Sequence, residues 1–272
     1  MPNFGMRVGI VIGAHMGCGP PSDYDADSAS YAAAVAAAGV TVTAAQRLIL
    51  SNFFAAEKLA GRWTGHLRLY LHGWGSAAAN KIDLKTLAVG TYAGTVTHAA
   101  GYAEGSADGA FILDQTSAGL GVATNSHCMT NLVVRAHQAA AYSTVFAGGT
   151  DGSSIQVLEN GSHDIEFYSV SGTPCTITGA TGVIVCSRTA SNAVNVVRRL
   201  TAGVTSATST VASSAIGEQV LSGWARASAS SLFGNQRVGF RHIGVGLSVV
   251  AATEFSQNIK TLWEGLYGQT LP

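Results

Sequence analysis

Phe233-Gly234-Asn235-Gln236-Arg237-Val238-Gly239-Phe240-Arg241-His242-Ile243-Gly244-Val245-Gly246-Leu247-Ser248 is a strand that hands over to a helix. Its alternation places Val238, Phe240 and His242 on one face and Arg237, Gly239 and Arg241 on the other. Gly244 and Gly246 let the backbone turn, and Ser248 is placed to cap the next helix. The tail, ending Leu262-Trp263-Glu264-Gly265-Leu266-Tyr267-Gly268, has helical spacing, which predicts a terminal helix over residues 249–264. A β-region closing on one amphipathic helix is therefore the first expectation.

Upstream of this segment the same β-character continues. Short β-rich runs at residues 129–136, 141–147, 154–158, 164–170, 183–187, 193–200 and 219–225 are broken by Gly, Ser, Thr and Asn. Many short strands with close turn signals predict an all-β sandwich from about residue 90 to 245. No self-similar period supports a solenoid or propeller. Before residue 90 the pattern is helical. An alanine-rich run at 28–38 has Asp27 or Ser28 as its cap. Thr43-Ala44-Ala45-Gln46 has capping-box spacing and opens a helix from Ala44 to Leu59. Leu48, Phe53, Ala56 and Leu59 read as its apolar face, widened by Ile49 and Leu50, and Gly61 stops it. Leu67, Leu69 and Leu71 alternate through a strand at residues 66–71.

Charged residues are only 11% of the 272-residue chain, while hydrophobic residues are 47% and glycines number 33. So little charge suits strands, tight turns and surface covered by neighbours. Net charge is zero and the largest basic cluster is Arg198-Arg199, which speaks against nucleic-acid binding. No apolar run approaches the roughly eighteen residues of a membrane span, so no membrane insertion is expected. Cys18, Cys128, Cys175 and Cys186 lack C-x-x-C spacing, which argues against zinc and redox motifs. Cys175 and Cys186 flank residues 176–185 and could face each other across a hairpin, as a disulfide or as free thiols.

Candidate chemistry is thin. Asp23, Asp25 and Asp27 alternate like the first ligands of a calcium loop, but Ser28 and Ala34 occupy the positions that would need glycine and glutamate. A helix cap explains the acids equally. Gly13, Gly17 and Gly19 follow a strand without the lysine of a phosphate loop. Ser162-His163-Asp164 holds triad residue types, yet adjacent residues cannot surround one reacting centre, and a polar turn is expected. Asp164 and Glu166 share a strand face and are the nearest thing to a glycosidase pair. Trp74, Tyr92, Tyr102 and Trp224 near glycine-rich turns could stack on sugars or fill the core, and Trp263 falls in the terminal helix. No cofactor, metal ligand set or catalytic residue is assigned.

The order of several motifs resembles a family of bacteriophage virion proteins with a concanavalin A-like, laminin-G-like jelly roll. The matching pieces are the acidic segment and helix at 25–38, Trp63 to Leu67, Asn80-Lys81-Ile82-Asp83-Leu84, Ser187 to Asn192, and the F-x-x-I-G-x-G-L-S segment Phe240 to Ser248. The resemblance implies a mainly β, jelly-roll sandwich with N-terminal helices and a C-terminal helix. The chain is expected to divide into an arm at 1–21, read from its Gly/Pro stretch and without a counterpart in that family, a helical extension with a short strand at 22–85, and the sandwich at 86–272. The resemblance implies a non-enzymatic virion appendage, spike or decoration subunit. A lectin-like module recognising host surface glycan is the alternative, and a polysaccharide-degrading hydrolase comes third. Partners would be other virion proteins and copies of the chain, a trimer in a spike or fibre. No lysine lies between Lys85 and Lys260, so the sandwich lacks the usual guards of its sheet edges. The apolar run Val8 to Ile12 in the arm is suited to joining a neighbour's edge.

Overall fold

The computed structural model describes residues 24–106, 108–139, 143–148, 155–169, 173–213, 220–225 and 233–272. Two helices come first, α1 (Ala26–Ala37) and α2 (Ala44–Leu59), followed by β1 (His66–Leu71) and a single helical turn, α3 (Ala77–Asn80). Four strands follow, β2 (Thr91–Ala93), β3 (Val96–Ala99), β4 (Tyr102–Gly105) and β5 (Ala110–Thr116). Next come β6 (His127–Arg135), β7 (Ser143–Gly148), β8 (Ile155–Glu159), β9 (Ile165–Ser169) and β10 (Cys175–Ile177). The chain closes with β11 (Gly182–Ala190), β12 (Ala193–Leu200), β13 (Gly203–Ser209), β14 (Val220–Gly223), β15 (Arg237–Gly244) and α4 (Val249–Tyr267).

The strands form two antiparallel sheets. The first runs β13-β12-β11-β6-β15-β4-β3, with β1 also paired to β15, and the second runs β10-β9-β8-β7-β14-β5-β2. β1 and β4 share one side of β15: β1 takes Phe240 to Gly244 and β4 takes Arg237 and Val238. The strand expected inside the helical extension is thus a strand of the sandwich itself.

Two cores result. Phe111, Met129, Val157, Phe167, Ile184 and Val238 meet between the sheets. On the outer face of the first sheet, Leu132, Val185, Val197 and Phe240 pack against Phe54, Phe255, Ile259 and Trp263 of the helices. The first sheet is therefore covered on both faces, which is why β6 and β11 are buried over seven consecutive residues instead of alternating.

The helices form for local reasons. Thr43 and Gln46 make the full capping box of α2. Ser248 accepts the Ala251 amide to cap α4, and Gly268 closes that helix in the left-handed region at φ 62°. Asp25, rather than Asp27 or Ser28, caps α1 by accepting the amides of both. Along α4 the buried positions Ala252, Phe255, Ser256, Ile259, Leu262, Trp263 and Leu266 repeat every three or four residues.

Two face assignments from the sequence are corrected. In α2 the buried stripe is Leu50, Phe53, Phe54 and Glu57, whereas Leu48 is 54% and Leu59 92% exposed. A glutamate completes the inward face, and no hydrophobicity pattern finds it. In β15 the register shifts between Val238 and Phe240. That bulge turns Val238 into the inter-sheet core while Gly239 and Phe240 both face the helices. A Cβ on Gly239 would meet Trp263 Nε1 at 2.6 Å, so only glycine lets α4 approach.

Candidate functional site

The motifs at Trp63 to Leu67 and Phe240 to Ser248 come together where β1 pairs with β15, His66 standing opposite Gly244. Beneath that joint runs a chain of buried polar groups linking the helices to the sheet. Glu57, fully buried, accepts Arg62 Nε–H at 2.8 Å, Arg62 Nη2–H at 3.0 Å and Asn258 Nδ2–H at 2.6 Å. It also meets His66 Nε2 at 3.0 Å. His66 Nδ1 then meets His242 Nε2 at 3.0 Å, and His242 Nδ1 meets Thr130 Oγ1 at 3.1 Å.

The protons on this chain can be placed. Burial raises the Glu57 pKa, but hydrogen bonds from His66, Arg62 and Asn258 outweigh it and hold the carboxyl at about 2. An ionised Glu57 only accepts, so His66 carries its proton on Nε2. Burial pushes both histidines below the usual imidazole range, which keeps them neutral. His66 Nδ1 therefore accepts from His242 Nε2–H, and His242 Nδ1 accepts the Thr130 hydroxyl. Every donor points toward the single carboxylate. The His66 ring stacks on Phe255 at 4.9 Å, so the chain is also an apolar contact with α4.

An open cleft of about 440 Å³ lies above, lined by Arg62, Thr64, Gly65, His66, Val245 and Gly246 among others. The glycines are there for close approach: a Cβ on Gly244 would sit 2.5 Å from His242 Nε2, and one on Gly246 would sit 1.9 Å from the Arg188 carbonyl oxygen. The Arg188 backbone is held in place because β11 pairs there on both sides, with Val194 of β12 and His127 of β6. Gly246→Ala is expected to cost about 2 kcal/mol or more and to lower the melting temperature. Stability within about 0.5 kcal/mol of the parent in urea titration would show that the loop simply shifts.

The residues singled out in the sequence are dispersed. Asp25 and Asp27 both pair with Lys58, at 2.7 and 2.8 Å. Asp23, Cys18, the three glycines at 13, 17 and 19, and the arm at 1–21 lie outside the described residues. Ser162-His163-Asp164 is the expected turn: Asn160 Oδ1 accepts the amides of Ser162 and Asp164 while His163 Nδ1 meets Glu159 at 2.6 Å. Asp164 accepts the Gly179 amide, and Glu166 is held by Asn160 and Tyr168, so each carboxylate has its own local partners.

Cys175 and Cys186 are free thiols. They are not hairpin partners: β10 pairs with β9 in one sheet and β11 with β12 and β6 in the other. Trp74 is buried and donates to the Tyr31 hydroxyl, Trp224 is buried and donates to the Gln236 carbonyl, and Trp263 donates to Gly101. The Tyr92 hydroxyl meets His72 at 2.9 Å. Tyr102 is half-buried with the Arg237 guanidinium 4.6 Å from its ring centre.

The sheet edges differ from one another. β2 and β10 have three residues and β3 has four, short enough to offer little to another chain. β13 has seven, Gly203-Val204-Thr205-Ser206-Ala207-Thr208-Ser209, and no position on it is buried. Its pairing with β12 is regular from Gly203 to Ser209 without a bulge. The strand itself contains neither a charged residue nor a proline to guard its outer row of amides and carbonyls.

No protein-family model and no curated protein matches the sequence. Solved structures do. The receptor-binding domain of botulinum neurotoxin mosaic serotype C/D has a TM-score of 0.51 at 9% identity, over 75% of this chain and 51% of that one. Domain 4 of the Geobacillus stearothermophilus arabinanase AbnA, solved with arabinotriose, scores 0.49 at 14% identity over 71% of this chain and 98% of its own. Trypanosoma rangeli sialidase with sialic acid scores 0.49 at 11% identity, over 74% of this chain and 33% of the enzyme. The fold is a concanavalin A-like β-sandwich. The chain spans only about half of the toxin domain and a third of the sialidase.

Proposed function

We propose that this chain is a non-enzymatic structural subunit of a bacteriophage virion, an appendage, spike or decoration component that assembles by extending its sheet through β13. The observation that carries the reading is that edge: seven residues, regular, exposed and uncharged, where β2, β3 and β10 have only three or four. Backbone groups in such a row pair readily with another strand, and monomers ordinarily guard them. The motif order in the sequence supplies the virion context. Its glycines act in backbone packing and its histidines in an internal hydrogen-bond chain, which suits a motif kept for architecture. A hydrolase would need two carboxylates facing one cleft, whereas Asp164 and Glu166 are occupied by neighbours. A glycan-binding role finds less support, since the faces of Trp74 and Trp224 are buried.

Two measurements test this. Sedimentation of the full chain at micromolar concentration is expected to give oligomers, and Val204→Lys with Ser206→Lys to weaken association at least tenfold without lowering the melting temperature by more than a few degrees. Mass spectrometry of purified particles is expected to find the chain in stoichiometric amounts. A wild-type monomer at all concentrations removes the role of β13, and absence from particles removes the virion assignment.

A further inference from the structure

Arg241 lies between the two sheets with no solvent exposure. Its guanidinium carbon is 3.9 Å from the centre of the Trp224 ring, and Gly223 makes the space, since a Cβ there would come within 2.3 Å of that carbon. Nη2–H donates to the Val145 carbonyl at 3.1 Å. Nε and Nη1 have no partner among the described residues. Burial lowers its pKa to about 9 while Tyr92 opposes the shift, so it remains a cation at neutral pH. One carbonyl and an indole face offset part of the cost of burying a cation, and folded proteins ordinarily supply the rest as a counter-charge. No carboxylate among the described residues pairs with it.

The groups around it are also unpartnered. Asn131 stands directly opposite Arg241 in the β6–β15 register, is fully buried, and has no partner at Nδ2 or Oδ1 among the described residues. On the other side of β15, Tyr70 is opposite Arg241 and His72 follows two residues later, its ring 5.8 Å from that of Trp224. His72 Nδ1 meets the Tyr92 hydroxyl at 2.9 Å. With the phenol donating to Nδ1, the neutral ring keeps its proton on Nε2, and that nitrogen too has no partner. Arg241 Nε and Nη1, Asn131 Nδ2 and His72 Nε2 are then N–H donors lacking acceptors around one positive charge.

We propose that Arg241, Asn131 and His72 form a buried site for one small monovalent anion of halide size, held between the sheets. The anion neutralises the guanidinium and accepts the idle N–H groups. Its size is bounded by the packing: the gap between sandwich sheets is about 10 Å, and Phe111, Met129, Val133 and Trp224 belong to the core within it. A phosphate or a sugar acid would displace core side chains.

The test uses the whole chain. Melting is measured in sodium chloride and in sodium methanesulfonate at equal ionic strength, and crystals grown in sodium bromide are measured at the bromine absorption edge. The expected results are a chloride-dependent rise of about 5 °C by about 200 mM, and an anomalous peak within hydrogen-bond distance of Arg241 and Asn131. Arg241→Met should remove the chloride dependence. If that variant does not fold, the melting comparison and the bromide crystal of the unaltered chain decide together. Equal melting in both salts, a peak without any thermal effect (binding at crystal concentration only), or water in place of the peak overturns the proposal.

Discussion

Replacing Glu57 by alanine is expected to destabilise the protein by about 3–5 kcal/mol, the usual cost of removing one member of a buried ionic group. The loss is not confined to one ion pair. Arg62, whose side chain is only 9% exposed, keeps a single partner, the exposed Glu254. His66 Nε2–H and Asn258 Nδ2–H lose their acceptor inside the joint between α2, α4 and the sheet. Glu57→Gln is expected to cost less, because an amide oxygen still accepts one of these bonds. By comparison, Lys58 with Asp25 lies on a more exposed surface, and breaking it should cost about 1 kcal/mol or less. Urea titrations of Glu57→Ala, Glu57→Gln and Lys58→Ala measure the differences. A Glu57→Ala loss below about 1 kcal/mol would show that the chain relaxes around the gap.

Acid is expected to begin destabilising this protein above the pH at which its carboxylates protonate. Burial lowers the pKa of His72 and His242 well below 6.5 and that of His127 to about 4. Because the folded values are depressed, the unfolded chain binds protons first. The stability these histidines contribute is complete above pH 6.5 and is lost as pH falls toward the folded values. For His127, with its folded value at about 4, the loss at about pH 5 is about 2 kcal/mol, and His72 and His242 shift stability in the same direction. Glu57 adds a second, lower window, from 4.5 down to about 2. Melting temperature should therefore drop by at least about 5 °C between about pH 7 and pH 5, the shift that the His127 loss alone implies. A flat profile over that range would mean that the histidines gain solvent or partners on protonation.

Much of the architecture is legible in the chain because it rests on local signals. The capping box at Thr43 and Gln46 places the start of α2 at Ala44, and the alternation of Leu67, Leu69 and Leu71 places β1 at residues 66–71. The switch to short β-runs marks the longer strands from β6 onward. The short strands β2, β3, β4 and β10 are not legible there, and neither is β13, because three or four residues, or a run of Thr, Ser and Ala, carry little periodic signal.

Contact between distant segments lies beyond the sequence. Glu57 and His66 are nine residues apart, but His242 is 176 residues from His66, and only pairing of β1 with β15 joins them. A bulge at Gly239 reverses the face of Val238, which strict alternation assigns to the helix side. Cys175 and Cys186 look like hairpin partners by spacing, yet their strands belong to different sheets. The sequence by itself determined the long helices, the caps of α2 and α4 and the sandwich class, since these depend on side-chain period and on hydrogen bonds a few residues long. The tertiary structure decided which polar residues are buried, which aromatics are covered and which edge strand is exposed among the described residues, since each depends on what packs against it from elsewhere in the chain.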